Sequence, residues 1–143
     1  MPTVNEMKSA AFSAIESRKS EIIEIAQTIL KNPETGFSEF KTSQLVQEKM
    51  GSLGIPFQKD LAITGIKGVV NGGAGAGPSV AVIGELDSLR IWEHPFHDNE
   101  TGAAHACGHH CQIANMIGTM IGLLEPTVLS HLSGTIIPMA VPA

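Results

Sequence analysis

Val80-Ala81-Val82-Ile83-Gly84-Glu85-Leu86-Asp87 is the stretch that decides how the rest of the chain is read. Four apolar residues run without polar interruption and then give way to two carboxylates. That is the pattern of a buried central strand whose carboxyl end opens onto a site. Side chains alternate along an extended backbone, so Glu85 and Asp87 share one face. The competing role for Asp87 is a cap on the turn that follows, common for aspartate at a strand exit.

Working upstream, Ile15, Ile22, Ile23, Ala26, Ile29 and Leu30 recur at helical spacing among charged residues, predicting an amphipathic helix over residues 9–31. Asn32-Pro33 ends it, because the residue before a proline is driven out of the helical region. A second helix is predicted over residues 40–50, turning Leu45, Val46 and Met50 to the core, with Gly51 or Gly54 closing it. After Ile55-Pro56-Phe57 the pattern becomes short apolar runs between glycines, predicting strands at 63–66 and 68–70. The cluster Asn71-Gly72-Gly73-Ala74-Gly75-Ala76-Gly77 contains no Gly-Lys-Ser/Thr and does not open a helix, so it reads as a hairpin turn and not a phosphate loop.

Downstream, residues 91–101 include Trp92, His94, Pro95, Phe96 and His97 with no period, and read as a loop at the site mouth. His94 and His97 either touch substrate there or are simply solvated. Next comes Gly102-Ala103-Ala104-His105-Ala106-Cys107-Gly108-His109-His110-Cys111, which places three of the six histidines and both cysteines within seven positions. A helix is predicted over 110–124 from Ile113, Met116, Ile117, Met120, Ile121 and Leu124, with Gly118 and Gly122 permitting close approach to a sheet. Glu125-Pro126 stops it, and residues 135–141 read as another apolar strand.

Cys107 and His109 stand two residues apart, with Gly108 between them to let the backbone bend. A thiolate and a neutral imidazole suit a borderline-soft divalent ion such as zinc. A small buried cysteine and a histidine capping a helix would explain the same pair without a metal. The chain has no other cysteine pair to complete a structural zinc site.

The 143 residues are the length of one domain, residues 1–143, and carry a net charge of -5 with a pI near 5.6. The nine Lys and Arg form no long basic run, which argues against nucleic acid or an anionic membrane as partner and favours a small polar or zwitterionic ligand. The first residues lack the apolar core of a signal peptide and no stretch is long enough to span a bilayer, so cytoplasmic residence is expected. Two cysteines four apart make a poor disulfide framework, and a reducing compartment would keep them free as ligands. Asn99-Glu100-Thr101 fits a glycosylation triplet and, without a secretory signal, is read as chance. Because a domain seldom stops on its own buried strand, ending at Pro142-Ala143 predicts a piece of something longer.

Three segments together resemble the aminoacylase and carboxypeptidase type of zinc metallopeptidase, in its amidohydrolase branch of hippurate, auxin-conjugate and aminobenzoyl-glutamate hydrolases. Asn32-Pro33-Glu34-Thr35-Gly36-Phe37-Ser38-Glu39 is similar to that family's Pro-Glu-x-Gly-Phe-x-Glu, Gly84-Glu85-Leu86-Asp87-Ser88-Leu89 to its strand-end Asp-Ala-Leu-Pro, and His105-Ala106-Cys107-Gly108-His109 to its His-Ala-Cys-Gly-His. The resemblance implies an α/β fold: an incomplete three-layer catalytic domain with a mixed, mostly parallel sheet flanked by helices, its N-terminal part only, without the lid domain. It implies Cys107 and His109 as metal ligands and Asp87 as the catalytic-site carboxylate that orients or tunes a ligand. The ion would be zinc, manganese or nickel, the substrate a small N-acyl or N-aroyl amino acid, and the assembly a homo-oligomer. The family's general base is the first of two glutamates after a strand and a Pro-Ala step. Pro142-Ala143 matches the step and no glutamates follow it here, so the 143-residue chain is expected to hydrolyse amides poorly or not at all. Losing a general base alone removes a factor of about a hundred to ten thousand. Departures from the pattern are Arg90 in place of the family's proline, His110 after the second signature histidine, and the extra thiol of Cys111.

Two other readings are carried forward. One is a non-catalytic metal-binding or assembly module that pairs an unfinished sheet with another polypeptide or copy. The other is a thiol redox protein using Cys107 and Cys111, whose spacing is not the Cys-x-x-Cys of thioredoxin-like proteins.

Overall fold

In the computed structural model, which describes residues 1–143, five helices and seven strands form one α/β unit. The first predicted helix is two. Helix α1 (Val4–Ser17) starts earlier than expected because Thr3 and Glu6 form a reciprocal capping box, and α2 (Lys19–Lys31) follows after Arg18 leaves helical geometry at φ -114° and ψ 16°. Within α2 the buried positions are Ile25 and Ile29, while Ile23 is exposed. Helix α3 (Phe40–Ser52) buries Val46 and Met50 as the periodicity predicts.

Strand β1 (Phe57–Leu61) precedes the region where strands were expected, and pairs antiparallel with β2 (Gly65–Gly68). Strand β3 (Val70–Asn71) continues that side of the sheet, and β4 (Ser79–Glu85) lies on the other side. Between them runs β7 (Thr135–Val141), antiparallel to β2 and β3 and parallel to β4. The sheet is therefore mixed, but the expected parallel majority is not found, since only β4–β7 pairs in parallel.

Two further expectations are corrected. The central strand is β7; β4 is an edge strand with Val80 56% and Ile83 57% exposed, because its unbroken apolar run packs a helix on one face only. The glycine segment is not a hairpin turn, since β3 and β4 do not pair with each other. It runs alongside the segment leading into β7, held by Gly72 N–H to Gly134 O, Ala74 N–H to Leu132 O and Thr135 N–H to Pro78 O, each at 2.9 Å. A side chain at Gly134, whose φ is +87°, would strike the Pro78 carbonyl oxygen at 2.0 Å.

A small antiparallel pair, β5 (Leu89–Arg90) with β6 (Ala103–Ala104), closes the neck of the predicted loop. Helix α4 (His109–Leu123) buries Ile113, Met116, Ile117, Met120 and Ile121. It packs on β4 and also against α1 and α2. Its Gly118 and Gly122 meet Ile22 and Ile15, so the close approach they allow is to helices and not to a sheet. Glu125 does not simply stop α4: its carboxylate accepts from Val128 N–H and starts the short α5 (Pro126–Leu129).

Candidate metal centre

The site forms where the carboxyl end of β4 meets the first turn of α4. The upstream motif sets the position of the strand end. Ser88 N–H and Oγ both donate to the Glu34 carbonyl, at 2.8 and 2.9 Å. The Glu34 carboxylate in turn accepts from Lys41 N–H, Thr42 N–H and Thr42 Oγ, occupying the donors that the first turn of α3 leaves free. Glu39, fully buried, accepts from Thr64 Oγ at 2.7 Å and ties the start of α3 to the approach to β2. The Glu34 carboxylate is paired through both oxygens, whereas Glu39 is paired through Oε2 only and its Oε1 is buried without a partner.

Asp87 is buried, 6% exposed, at the strand exit. It meets His109, whose Nδ1 lies 2.8 Å from Asp87 Oδ1 and 3.0 Å from the Asp87 carbonyl oxygen. Both neighbours are acceptors, so Nδ1 carries the proton and donates. A ring held this way presents Nε2 outward, the orientation a carboxylate commonly imposes on a metal-binding histidine. The other nitrogen is not free: Nε2 lies 2.9 Å from Glu85 Oε2. Gln112, one turn along α4, donates to the same Glu85 oxygen at 3.2 Å and accepts from Glu85 N–H at 3.1 Å.

Of the three residues singled out from the motifs, Asp87 and His109 are thus brought together, while Cys107 is exposed with a free thiol on the loop before α4. Gly108, the cap residue, has φ +88°, which turns the chain between Cys107 and His109. No three His, Cys, Asp or Glu side chains are gathered at ligand spacing. The imidazole of His109 is oriented by a carboxylate, as metal-binding histidines commonly are, and the thiol of Cys107 stands exposed two residues before it.

Behind this pair lie His105 and His110, their ring centroids 5.3 Å apart. His105 is buried, 6% exposed, and neither of its ring nitrogens has a hydrogen-bond partner; His110 Nδ1 is likewise buried and unpaired. Burial first, and then the charges of His110 and His109, pull the His105 pKa down to about 4, so at neutral pH it is uncharged. Burial and the charge of His109 lower His110 in the same direction. His94 and His97 bond to each other's segment instead, His97 Nδ1 lying 2.7 Å from the His94 carbonyl oxygen. Sequence reasoning placed Glu85 on the same face as Asp87 without giving it a partner, and passed over Gln112. The spacing of His109 and Gln112, three apart on a helix, was the available signal.

No protein-family profile matches the chain. Individual proteins do. IAA-amino acid hydrolase ILR1-like 2 of Arabidopsis thaliana is 34% identical over 127 residues, covering 85% of this chain and 28% of that protein. Thermostable carboxypeptidase 2 of Saccharolobus solfataricus is 34% identical over 101 residues, covering 68% of this chain and 25% of that protein. Among solved structures, the Bacillus subtilis YXEP protein, described as a dinuclear metal binding peptidase of the M20 family, matches with a TM-score of 0.78 and 26% identity over 90% of this chain and 36% of that one. The chain spans about a quarter of the length of the curated relatives it matches. The resemblance to amidohydrolases and metallopeptidases read from the three motifs is borne out: the relatives are hydrolases, and the fold is shared with an M20 peptidase. No helix is long and apolar enough to cross a membrane.

Proposed function

We propose that this chain is the N-terminal part, residues 1–143, of the catalytic domain of a metal-dependent amidohydrolase that cleaves the amide bond of N-acyl or N-aroyl amino acids. The observation that carries the reading is the 2.8 Å contact between Asp87 and His109 at the mouth of the strand. On this reading His109 Nε2 and the Cys107 thiolate would hold a zinc, manganese or nickel ion, with Asp87 fixing the imidazole tautomer and raising its basicity. Such an ion, when bound, polarises an amide carbonyl and lowers the pKa of water. Asp87 would keep the Nδ1 proton in place throughout, and burial keeps the neighbouring His105 uncharged at neutral pH. The residue that takes a proton from water lies outside these 143 residues, so the chain by itself turns substrate over poorly or not at all. A reducing, cytoplasmic setting keeps both thiols available.

The test is to titrate the thiols with a chromogenic disulfide reagent, with and without zinc and with and without chelator. Zinc should slow Cys107 selectively against Cys111, and chelator should restore its rate. Equal reactivity of the two under all conditions would remove the thiolate from the site. Turnover of an N-acyl amino acid by this chain at rates of ordinary enzymes, about 1–1000 per second, would overturn the partial-domain reading.

The non-catalytic assembly reading has one observation in its favour. The free edge of β4 carries Ile83, exposed on the face turned away from the helices, a surface suited to a second copy. Sedimentation with metal analysis separates the two, since a purely structural module assembles with no stoichiometric ion.

A further inference from the structure

We infer that the cleft between the end of α2 and the loop over residues 91–101 binds a free amino acid with an apolar side chain, its carboxylate held by Lys31 and its ammonium by Asp98. The inference stands apart from the metal-dependent reading above, since no residue of the cleft belongs to the centre between β4 and α4. The cleft measures about 430 Å³, the size of a small-molecule site and ample for one amino acid. Its walls come from two separate stretches of chain: Leu30, Lys31 and Pro33 on one side, Phe96, His97 and Asp98 on the other. Phe96 is 72% exposed, so an apolar side chain entering between it and Leu30 removes aromatic and aliphatic surface from water.

The fold leaves the charges of this cleft open. Lys31 and Asp98 line the same space, yet they do not pair with each other and neither has another ion-pair partner. Asp98 is fixed through Oδ1 alone, which accepts from Glu100 N–H, Thr101 N–H and Thr101 Oγ at 3.1, 2.8 and 2.7 Å. Its Oδ2 takes no donor from the protein, so a positioned carboxylate presents a free oxygen. The Thr101 hydroxyl and amide hold the Asp98 pKa below the ordinary carboxylate value, which keeps it charged at neutral pH. Lys41, also unpaired, lies near enough for its charge to reach Asp98, and this weights the cleft towards the carboxylate of a ligand. His97 turns Nδ1 to the His94 carbonyl oxygen, leaving Nε2 of the neutral ring as a further acceptor. A molecule that answers both charges carries an anion and a cation a short way apart on an apolar body. An amino acid zwitterion is the smallest that does.

Trp92 is the only tryptophan and the chain has no tyrosine. Its ring meets the His97 ring edge-on, 5.8 Å between centroids, so its emission reports on the cleft wall. The experiment titrates the 143-residue chain with L-leucine in the presence of chelator, by calorimetry and by Trp92 fluorescence. Saturable binding with a dissociation constant of about 1 mM or tighter is expected, with the emission changing over the same range. L-Leucinamide, which lacks the carboxylate, and 4-methylpentanoate, which lacks the ammonium, should each bind at least about fivefold more weakly, the amide the weaker of the two. Lys31→Met and Asp98→Asn should each weaken L-leucine at least about fivefold, and Phe96→Ala about threefold or more. The asparagine oxygen can still accept the Glu100 and Thr101 bonds, so the loop should keep its shape, which circular dichroism and Trp92 emission of the free variant check. No saturable binding of L-leucine by wild type up to about 20 mM would overturn the inference, as would wild-type affinity in both Lys31→Met and Asp98→Asn. Binding of 4-methylpentanoate as tightly as L-leucine would overturn the amino-acid assignment. With chelator present throughout, none of these outcomes bears on Cys107 and His109.

Discussion

His105 sits in the loop before α4 with both ring nitrogens buried and unpaired, and this has a measurable consequence for pH dependence. Its pKa in the fold, about 4, lies below the ordinary value of 6.5. The unfolded chain therefore takes up this proton first as the solution is acidified, and the stability associated with the neutral ring is complete above about pH 6.5 and lost as pH falls toward 4. The loss is at most about 3 kcal/mol at 1.36 kcal/mol per pH unit. Urea unfolding in the presence of chelator across that window should show the decline, and His105→Gln should flatten it. At this scale the placement was legible in part: His109 and Asp87 were named before the fold was seen and they meet, while Cys107 stands exposed. The Glu85 contact was not legible, because a strand pattern gives the face a side chain shares but not the distance to a helix beginning 24 residues later.

At the scale of elements, two glycines with nearly the same left-handed backbone answer differently to substitution. Gly108 has φ +88° and open space around it, so Gly108→Ala should cost about 1 kcal/mol, the price of placing an L residue in that region. Gly134 has φ +87° but backs onto the Pro78 backbone, so Gly134→Ala should cost several times more and shift the glycine segment. Thermal unfolding of the two variants side by side checks the contrast. Helices α3 and α4 and strand β7 were legible because their apolar periods are long and regular. The division of the first helix was not, since Arg18 breaks it without a proline or glycine to mark the place. Strand β1 was missed for a related reason: Gln58, Lys59 and Asp60 make it polar, and its pairing with β2 supplies what its composition does not. The error over β4 followed from treating an uninterrupted apolar run as proof of burial on both faces.

At the scale of the whole molecule, the helices lie over one face of the sheet and leave the other largely open. Gly84 meets Ile113 of α4, so by alternation Ile83 points away from the helices, where it is 57% exposed. Ile83→Lys should therefore leave thermal stability within about 0.5 kcal/mol of wild type and reduce concentration-dependent self-association, as read by analytical ultracentrifugation. A cooperative loss of stability in the monomer would show instead that this face is needed by the isolated fold. The fold class was accessible from the alternation of strands and helices, but the order of strands was not, because β7 lies 50 residues beyond the end of β4 and nothing local announces which strand it joins.

That order bears on how the molecule is made. Strand β4 has no partner except β7, and β3 likewise pairs only with β7, so the seven residues from Thr135 to Val141 are what convert separate pieces into a sheet. A ribosome releasing this chain in sequence would present helices and the small β1–β2 and β5–β6 ribbons until Thr135–Val141 had emerged. Assembly of the sheet would wait for its closing strand, and until then the apolar side of β4 would be open to whatever chaperone or neighbour met it first.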